Sequence, residues 1–95
     1  MATDVARLAA LGNDTRYEVL RLIAEAEDEV CVCELDGALG VSQGTISQAL
    51  SRLFAAGLVR RRKDGRWRFY SATPLATRLL AVLDEARTLE GGADV

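Results

Sequence analysis

Two adjacent residues, Asp64 and Gly65, constrain the fold of this 95-residue chain more than any other pair. They stand between residues 58–63 and 66–72, and an Asp-Gly step between two such runs is among the strongest short-range signals for a two-residue β-hairpin. Pairing around that step places Arg61, Lys63, Arg66 and Arg68 on one face and Trp67 and Phe69 on the other. The expectation is a wing with one basic face, suited to a phosphate backbone, and one aromatic face that anchors it to the body.

The rest of the chain reads as helix. Val5, Leu8, Ala9 and Leu11 recur at helical spacing, and Gly12-Asn13 closes that segment and offers a cap for the next. A second helix is expected over 14–26, with Val19, Leu20, Leu22 and Ile23 as its apolar face. Val30-Cys31-Val32-Cys33 is compatible with either a short extended segment or a first helical turn. A short helix over 34–39 stops at Gly40, Ser42 can cap a longer helix over 43–56, and Gly57 ends it. After Pro74, the only proline, a last helix is expected to run to about Leu89 with Leu79, Val82, Leu83, Ala86 and Leu89 in one stripe, and Gly91-Gly92 to begin a frayed end. Helix, helix, short helix, turn, helix, hairpin, helix is the order of a winged helix-turn-helix, a mainly α fold with a small β-hairpin wing. The sequence shows no linker or repeat, so residues 1–95 are read as a single such domain.

The helix over 43–56 has two unlike faces. Ile46, Ala49, Leu50 and Leu53 share a side by their spacing and are expected in the core. Opposite them stand Gly44, Thr45, Ser47, Gln48, Ser51 and Arg52, with no acidic residue anywhere on the helix. Hydroxyls, amides and arginine without negative charge suit the major groove, where glutamine can pair with adenine and arginine with guanine or phosphate. Ser42, Gln43, Gly44, Thr45, Ser47, Gln48, Ser51 and Arg52 are therefore the candidate groove residues, and Arg61, Lys63, Arg66 and Arg68 the candidate wing contacts.

Charge segregation supports an anionic partner. The chain has a formal net charge of −2, yet residues 60–68 carry +5, leaving −7 for the remainder. No apolar run is long enough for a membrane span, so no membrane partner is expected. Met1-Ala2-Thr3-Asp4 has no basic n-region or long apolar stretch, so the expected compartment is the reducing cytoplasm, with two free cysteines. Enzyme chemistry finds little footing: there is no histidine, no phosphate-cradling glycine loop and no nucleophile elbow.

Three stretches make the chain resemble the ArsR/SmtB family of metal-responsive repressors over about residues 8–89. They are Leu11-Gly12-Asn13-Asp14-Thr15-Arg16 with Val19-Leu20; Ser42-Gln43-Gly44-Thr45-Ile46-Ser47-Gln48-Ala49-Leu50 with Leu53; and Ala56-Gly57-Leu58-Val59 leading to Asp64-Gly65-Arg66 and Tyr70. The resemblance implies a homodimer joined by its first and last helices, which as a repressor binds double-stranded DNA at an imperfect inverted repeat and leaves it when a metal or metalloid binds. Two apolar stripes on so short a chain agree with a partner covering them.

Cys31-Val32-Cys33-Glu34-Leu35 resembles the arsenite-binding box of the arsenic-sensing branch, which implies As(III) or Sb(III) as inducer at Cys31 and Cys33, with no obligatory cofactor. Where well-known members of that branch carry a third cysteine this chain has Asp36, so a three-thiolate site within one subunit is excluded, and a carboxylate, water or small thiol is left as third ligand. Two thiolates suit a soft, thiophilic centre, and without histidine the family's histidine-containing zinc site cannot form. Residues i and i+2 on a regular helix point about 200° apart, so a shared centre is expected to distort the helix over 34–39 and, through it, the reading helix. The competing readings are a winged regulator with a redox or other non-metal signal, and a protein-interaction module whose cysteines are structural.

Overall fold

A computed structural model describes residues 2–93. Helix α1 (Asp4–Leu11) starts where the Thr3 hydroxyl accepts the Ala6 N–H at 3.0 Å, and α2 (Asp14–Glu25) where Asn13 accepts from Arg16 N at 2.9 Å. Each cap satisfies an amide that the first helical turn leaves unpaired. Arg16 then turns back, donating from Nε to the Ala10 carbonyl at 2.8 Å and from Nη2 to that of Ala9 at 3.0 Å. Those are carbonyls at the end of α1, so one side chain fixes the corner between the two helices.

The two readings of residues 30–33 each hold for half of the segment. Val30–Cys31 is a strand, β1, and Val32 opens α3 (Val32–Leu39), two residues ahead of the expected start. Gly40 ends α3 in the left-handed conformation, φ 66°, which a side chain would disfavour, and three residues later α4 (Gln43–Ala55) begins with the Ser42 hydroxyl accepting from Thr45 N at 3.2 Å.

Strands β2 (Val59–Asp64) and β3 (Trp67–Ala72) form the expected hairpin, but the loop is Gly65-Arg66, since Asp64 pairs with Trp67. The physical reason is the turn itself. Gly65 has φ 63° and no other residue there has positive φ, which fits a loop with glycine first; a loop over Asp64-Gly65 of the type Asp-Gly favours would require positive φ at both. Strand β1 adds on the other side of β3, giving the antiparallel order β1-β3-β2, with Val30 opposite Tyr70 and Cys31 opposite Phe69.

Thr73 starts α5 (Pro74–Ala93): its hydroxyl donates to the Gly57 carbonyl at 2.8 Å and accepts from Ala76 N at 3.3 Å. The helix continues through Gly91 and Gly92 instead of fraying after Leu89. A growing helix gains a hydrogen bond with each residue fixed, against a penalty of roughly 1 kcal/mol per glycine. Val19, Leu20 and Ile23 of α2, Leu35 of α3, and Ile46, Ala49, Leu50 and Leu53 of α4 meet Leu58, Val59 and Tyr70 in one core, with no buried polar residue in it. On α5 the core takes Ala76 and Leu80, leaving Val82, Leu83 and Leu89 exposed; on α1, Val5 is 75% and Leu8 66% exposed. Polar contacts fasten α5 to α2: the Arg21 guanidinium pairs with the Asp84 carboxylate, and Arg21 and Arg87 each donate to the Tyr17 hydroxyl at 2.8 Å. The Arg21 hydrogen bond holds the Asp84 carboxyl below its ordinary value.

Candidate nucleic-acid interface and thiol pair

Helix α4 divides as its spacing requires. The four apolar residues are buried, and Gln43, Gly44, Thr45, Ser47, Gln48, Ser51 and Arg52 are all exposed with Ser42 at their head. At Gly44 the nearest atom to an added Cβ would be Ser42 Oγ at 4.0 Å, so nothing in the protein crowds a close approach of ligand to backbone. The Ser42 and Thr45 hydroxyls lie 2.9 Å apart and hydrogen-bond each other, which orients both at the start of the helix.

The strand residues of the wing sort as expected although the loop moved, because strand parity survived the shift: Arg61 and Lys63 lie opposite Tyr70 and Arg68, while Arg62 and Asp64 lie opposite Phe69 and Trp67. Arg66, expected on the basic strand face, falls in the loop instead, its guanidinium 5.9 Å from the centre of the Trp67 ring. The anchoring is the reverse of the expectation. Val59 and Tyr70, on the same face as Arg61, Lys63 and Arg68, are the buried residues; Trp67 on the other face is 51% exposed. The face that enters the core at the base of the hairpin becomes the basic face once the hairpin projects past the body, since a strand's side chains alternate without interruption. The basic face is thereby turned toward α4. Arg61 stacks on Phe54 of that helix, 4.4 Å from the ring centre. Gln43, Ser47 and Ser51 form one wall of a cleft of about 260 Å³, and Arg61, Arg66 and Arg68 the other. Among the described residues no carboxylate lies within 4.0 Å of the cationic groups of Arg61, Lys63, Arg66 or Arg68. Arg62 differs: its Nε sits 2.9 and 3.0 Å from the Glu29 oxygens, and its guanidinium lies over Phe69. Arg62 belongs to the basic cluster by position in the chain, yet it is neutralised by Glu29, 33 residues away.

Both cysteines are free thiols, and Cys31 lines the cleft between wing and α4. Cys31 is 6% exposed, and its backbone is extended (φ −75°, ψ 141°); it ends β1 and caps α3, whereas Cys33 is exposed in the first turn of α3. The Glu34 carboxylate reaches back to the Cys31 N–H at 3.5 Å. A hydrogen bond with the Cys31 side chain, helped by desolvation and by the charges of Cys31 and Glu34, raises the Cys33 thiol above its ordinary value. The expectation that α3 must unwind before one centre can bridge the thiols is therefore corrected. It assumed both residues on a regular helix, whereas Cys31 is the extended N-cap residue outside it. Among the described residues no group of three or more cysteine, aspartate or glutamate side chains is gathered for a metal ion. Asp36 has one carboxylate oxygen buried without a hydrogen-bond partner among the described residues.

A helix-turn-helix whose second helix shows an acid-free polar face beside a basic hairpin defines a winged helix-turn-helix DNA-binding protein. Comparison with known proteins gives the same class. Residues 13–61 match the model of the bacterial regulatory proteins of the arsR family. A Halobacterium salinarum protein named as the arsenical resistance operon repressor ArsR2 is 60% identical over 92% of this chain and 73% of its own. A second from that organism, named ArsR, is 47% identical over 92% and 67%. The homodimeric winged helix-turn-helix DNA-binding domain of Mb0332 from Mycobacterium bovis superposes with a TM-score of 0.78 at 28% identity, over 88% of this chain and 77% of that one. The chain belongs to the ArsR family: it is a DNA-binding transcriptional regulator of the repressor type and not an enzyme. Among the described residues no helix is long and apolar enough to cross a membrane.

Proposed function

We propose that this chain is a single-domain, homodimeric repressor, working in the reducing cytoplasm, that leaves an inverted-repeat operator when As(III) or Sb(III) binds Cys31 and Cys33. In this reading Thr45, Ser47, Gln48, Ser51 and Arg52 read base edges, Gly44 admits the groove wall, and Ser42 and Gln43 meet the backbone at the start of α4. Arg61, Lys63, Arg66 and Arg68 grip phosphates flanking the groove. The exposed apolar residues of α1 and α5 pack against a second copy; Val5, Leu8, Val82 and Leu89 would otherwise stand in water. The names of the Halobacterium relatives support an arsenical signal.

The observation that carries the inducer is the pair of free thiols at the junction of β1 and α3, Cys31 at the N-cap and Cys33 in the first turn, in a chain without histidine. With arsenous acid the exchange balances as As(OH)₃ plus two R–SH giving (R–S)₂As–OH plus two waters: two S–As bonds form, two As–O bonds break, and the thiol protons leave in the waters. The third position on arsenic remains oxygen, so Asp36 is not required. The test is titration of DNA from upstream of the protein's own gene with wild type, Cys31→Ser and Cys33→Ser, each with arsenite, antimonite, cadmium and zinc. Arsenite release of the wild type alone is expected; equal behaviour of all three proteins would make the cysteines structural. Sequence-indifferent binding would instead favour a protein-interaction module.

A further inference from the structure

The geometry points to Glu29 and Arg62 as positioning residues that carry occupancy of the thiol pair into the wing. This rests on the reading of Cys31 and Cys33 as the inducer site and adds the route by which that site reaches DNA.

Four groups form a closed circuit. Cys31 lies opposite Phe69 across β1 and β3. Phe69 lies opposite Arg62 across β3 and β2, and the Arg62 guanidinium lies over its ring, 4.7 Å from the centre. Arg62 Nη2 is 2.8 Å from Glu29 Oε1, with Nε bonded to both carboxylate oxygens. Glu29 stands two residues before Cys31 in the chain. Strand β1 pairs only with β3, so the ion pair is a second tie that reaches past β3 to β2, the strand that bears Arg61 and Lys63.

Bridging the thiols puts this circuit under load. Cys31 is buried and Cys33 exposed, so one centre bonded to both sulfurs shifts the junction between β1 and α3. With only two residues, β1 has little pairing to resist the shift. Glu29, the residue next before β1, travels with that strand, Arg62 follows Glu29, and the basic face turns relative to α4. Cys31 also lines the cleft between wing and helix, so the displacement begins at the surface where both are to meet DNA.

The experiment compares full-length wild type, Glu29→Gln and Glu29→Asp, using sodium arsenite and the DNA fragment bound by the wild type. Three quantities are read: arsenite affinity of the free protein, DNA affinity without arsenite, and DNA affinity at saturating arsenite. Trp67, the only tryptophan, is near the tip of the wing and half exposed, so its emission reports the wing directly. A coupling in the typical range lowers wild-type DNA affinity about 5- to 150-fold on arsenite binding. For Glu29→Gln the expected result is arsenite affinity and arsenite-free DNA affinity close to wild type, with the release factor falling toward one and the arsenite-induced Trp67 change lost. Glu29→Asp, which keeps the carboxylate, should recover most of both. A release factor and Trp67 response in Glu29→Gln equal to wild type would overturn the strap while leaving the inducer site standing. Failure of arsenite to bind or release the wild type would overturn the inducer reading and the strap with it.

Discussion

Replacing Lys63 with glutamine tests the assignment of the wing's faces most directly, because its neighbour Arg62 provides the control. Lys63 shares the face of Val59 and Tyr70, which is turned toward α4, and has no carboxylate within 4.0 Å among the described residues. Arg62 points to the opposite face and is already paired with Glu29. Each phosphate neutralised by a protein cation contributes about −0.9 to the slope of log K against log salt on duplex DNA. A dimer presents two copies of Lys63, so Lys63→Gln should flatten the slope by roughly 1.8. Between 50 and 200 mM salt, that makes the loss of affinity about tenfold smaller than in the wild type. Arg62→Gln removes the same formal charge from a site that releases few counterions, and the slope should stay near wild type. The assay is fluorescence anisotropy of a labelled operator at four or more salt concentrations. An unchanged slope for Lys63→Gln, or an equal change for Arg62→Gln, would refute the face assignment.

Other expectations concern stability and inducer chemistry. Ser42→Ala removes the cap that accepts from Thr45 N and should cost about 1 kcal/mol, read as a lower denaturant midpoint at unchanged m. Asp84 is held below its ordinary value of 3.8 by Arg21, so its pair with Arg21 stabilises the fold above that pH and is lost as pH falls through the lowered value. Thermal melts of Asp84→Asn should therefore lie below wild type at neutral pH and converge with it on acidification below about pH 4, and parallel curves would contradict the linkage. Since exchange of two thiols onto arsenous acid releases water and no net proton, arsenite affinity should be nearly flat from about pH 6 to 8, whereas cadmium, which must displace thiol protons, should bind more tightly as pH rises. Calorimetric titration at three pH values separates the two behaviours.

Much of the reading face was legible in the chain. The spacing of Ile46, Ala49, Leu50 and Leu53 put Thr45, Ser47, Gln48, Ser51 and Arg52 outward, because a helix has a fixed period and the core takes the apolar side. The division of the wing into two faces was equally local. Its parity survived even though the loop fell on Gly65-Arg66, since the alternation of a strand does not depend on which residues make the turn. Harder to read was the segment 30–33, where four residues are too few for any period to declare itself, and Phe69 and Tyr70, pairing from far along the chain, determine that Val30–Cys31 is a strand.

What the sequence by itself determined was therefore periodic and local: the order of elements, the faces of α4 and of the hairpin, the caps at Asn13 and Ser42, and the presence of two thiols without a histidine or a third cysteine. Tertiary structure decided which side of the wing faces α4, that Glu29 removes Arg62 from the free cations, and that Cys31 lies in a strand outside α3. These depend on partners tens of residues apart. Side-chain periodicity specifies direction relative to an element's own axis, and only packing specifies what stands in that direction.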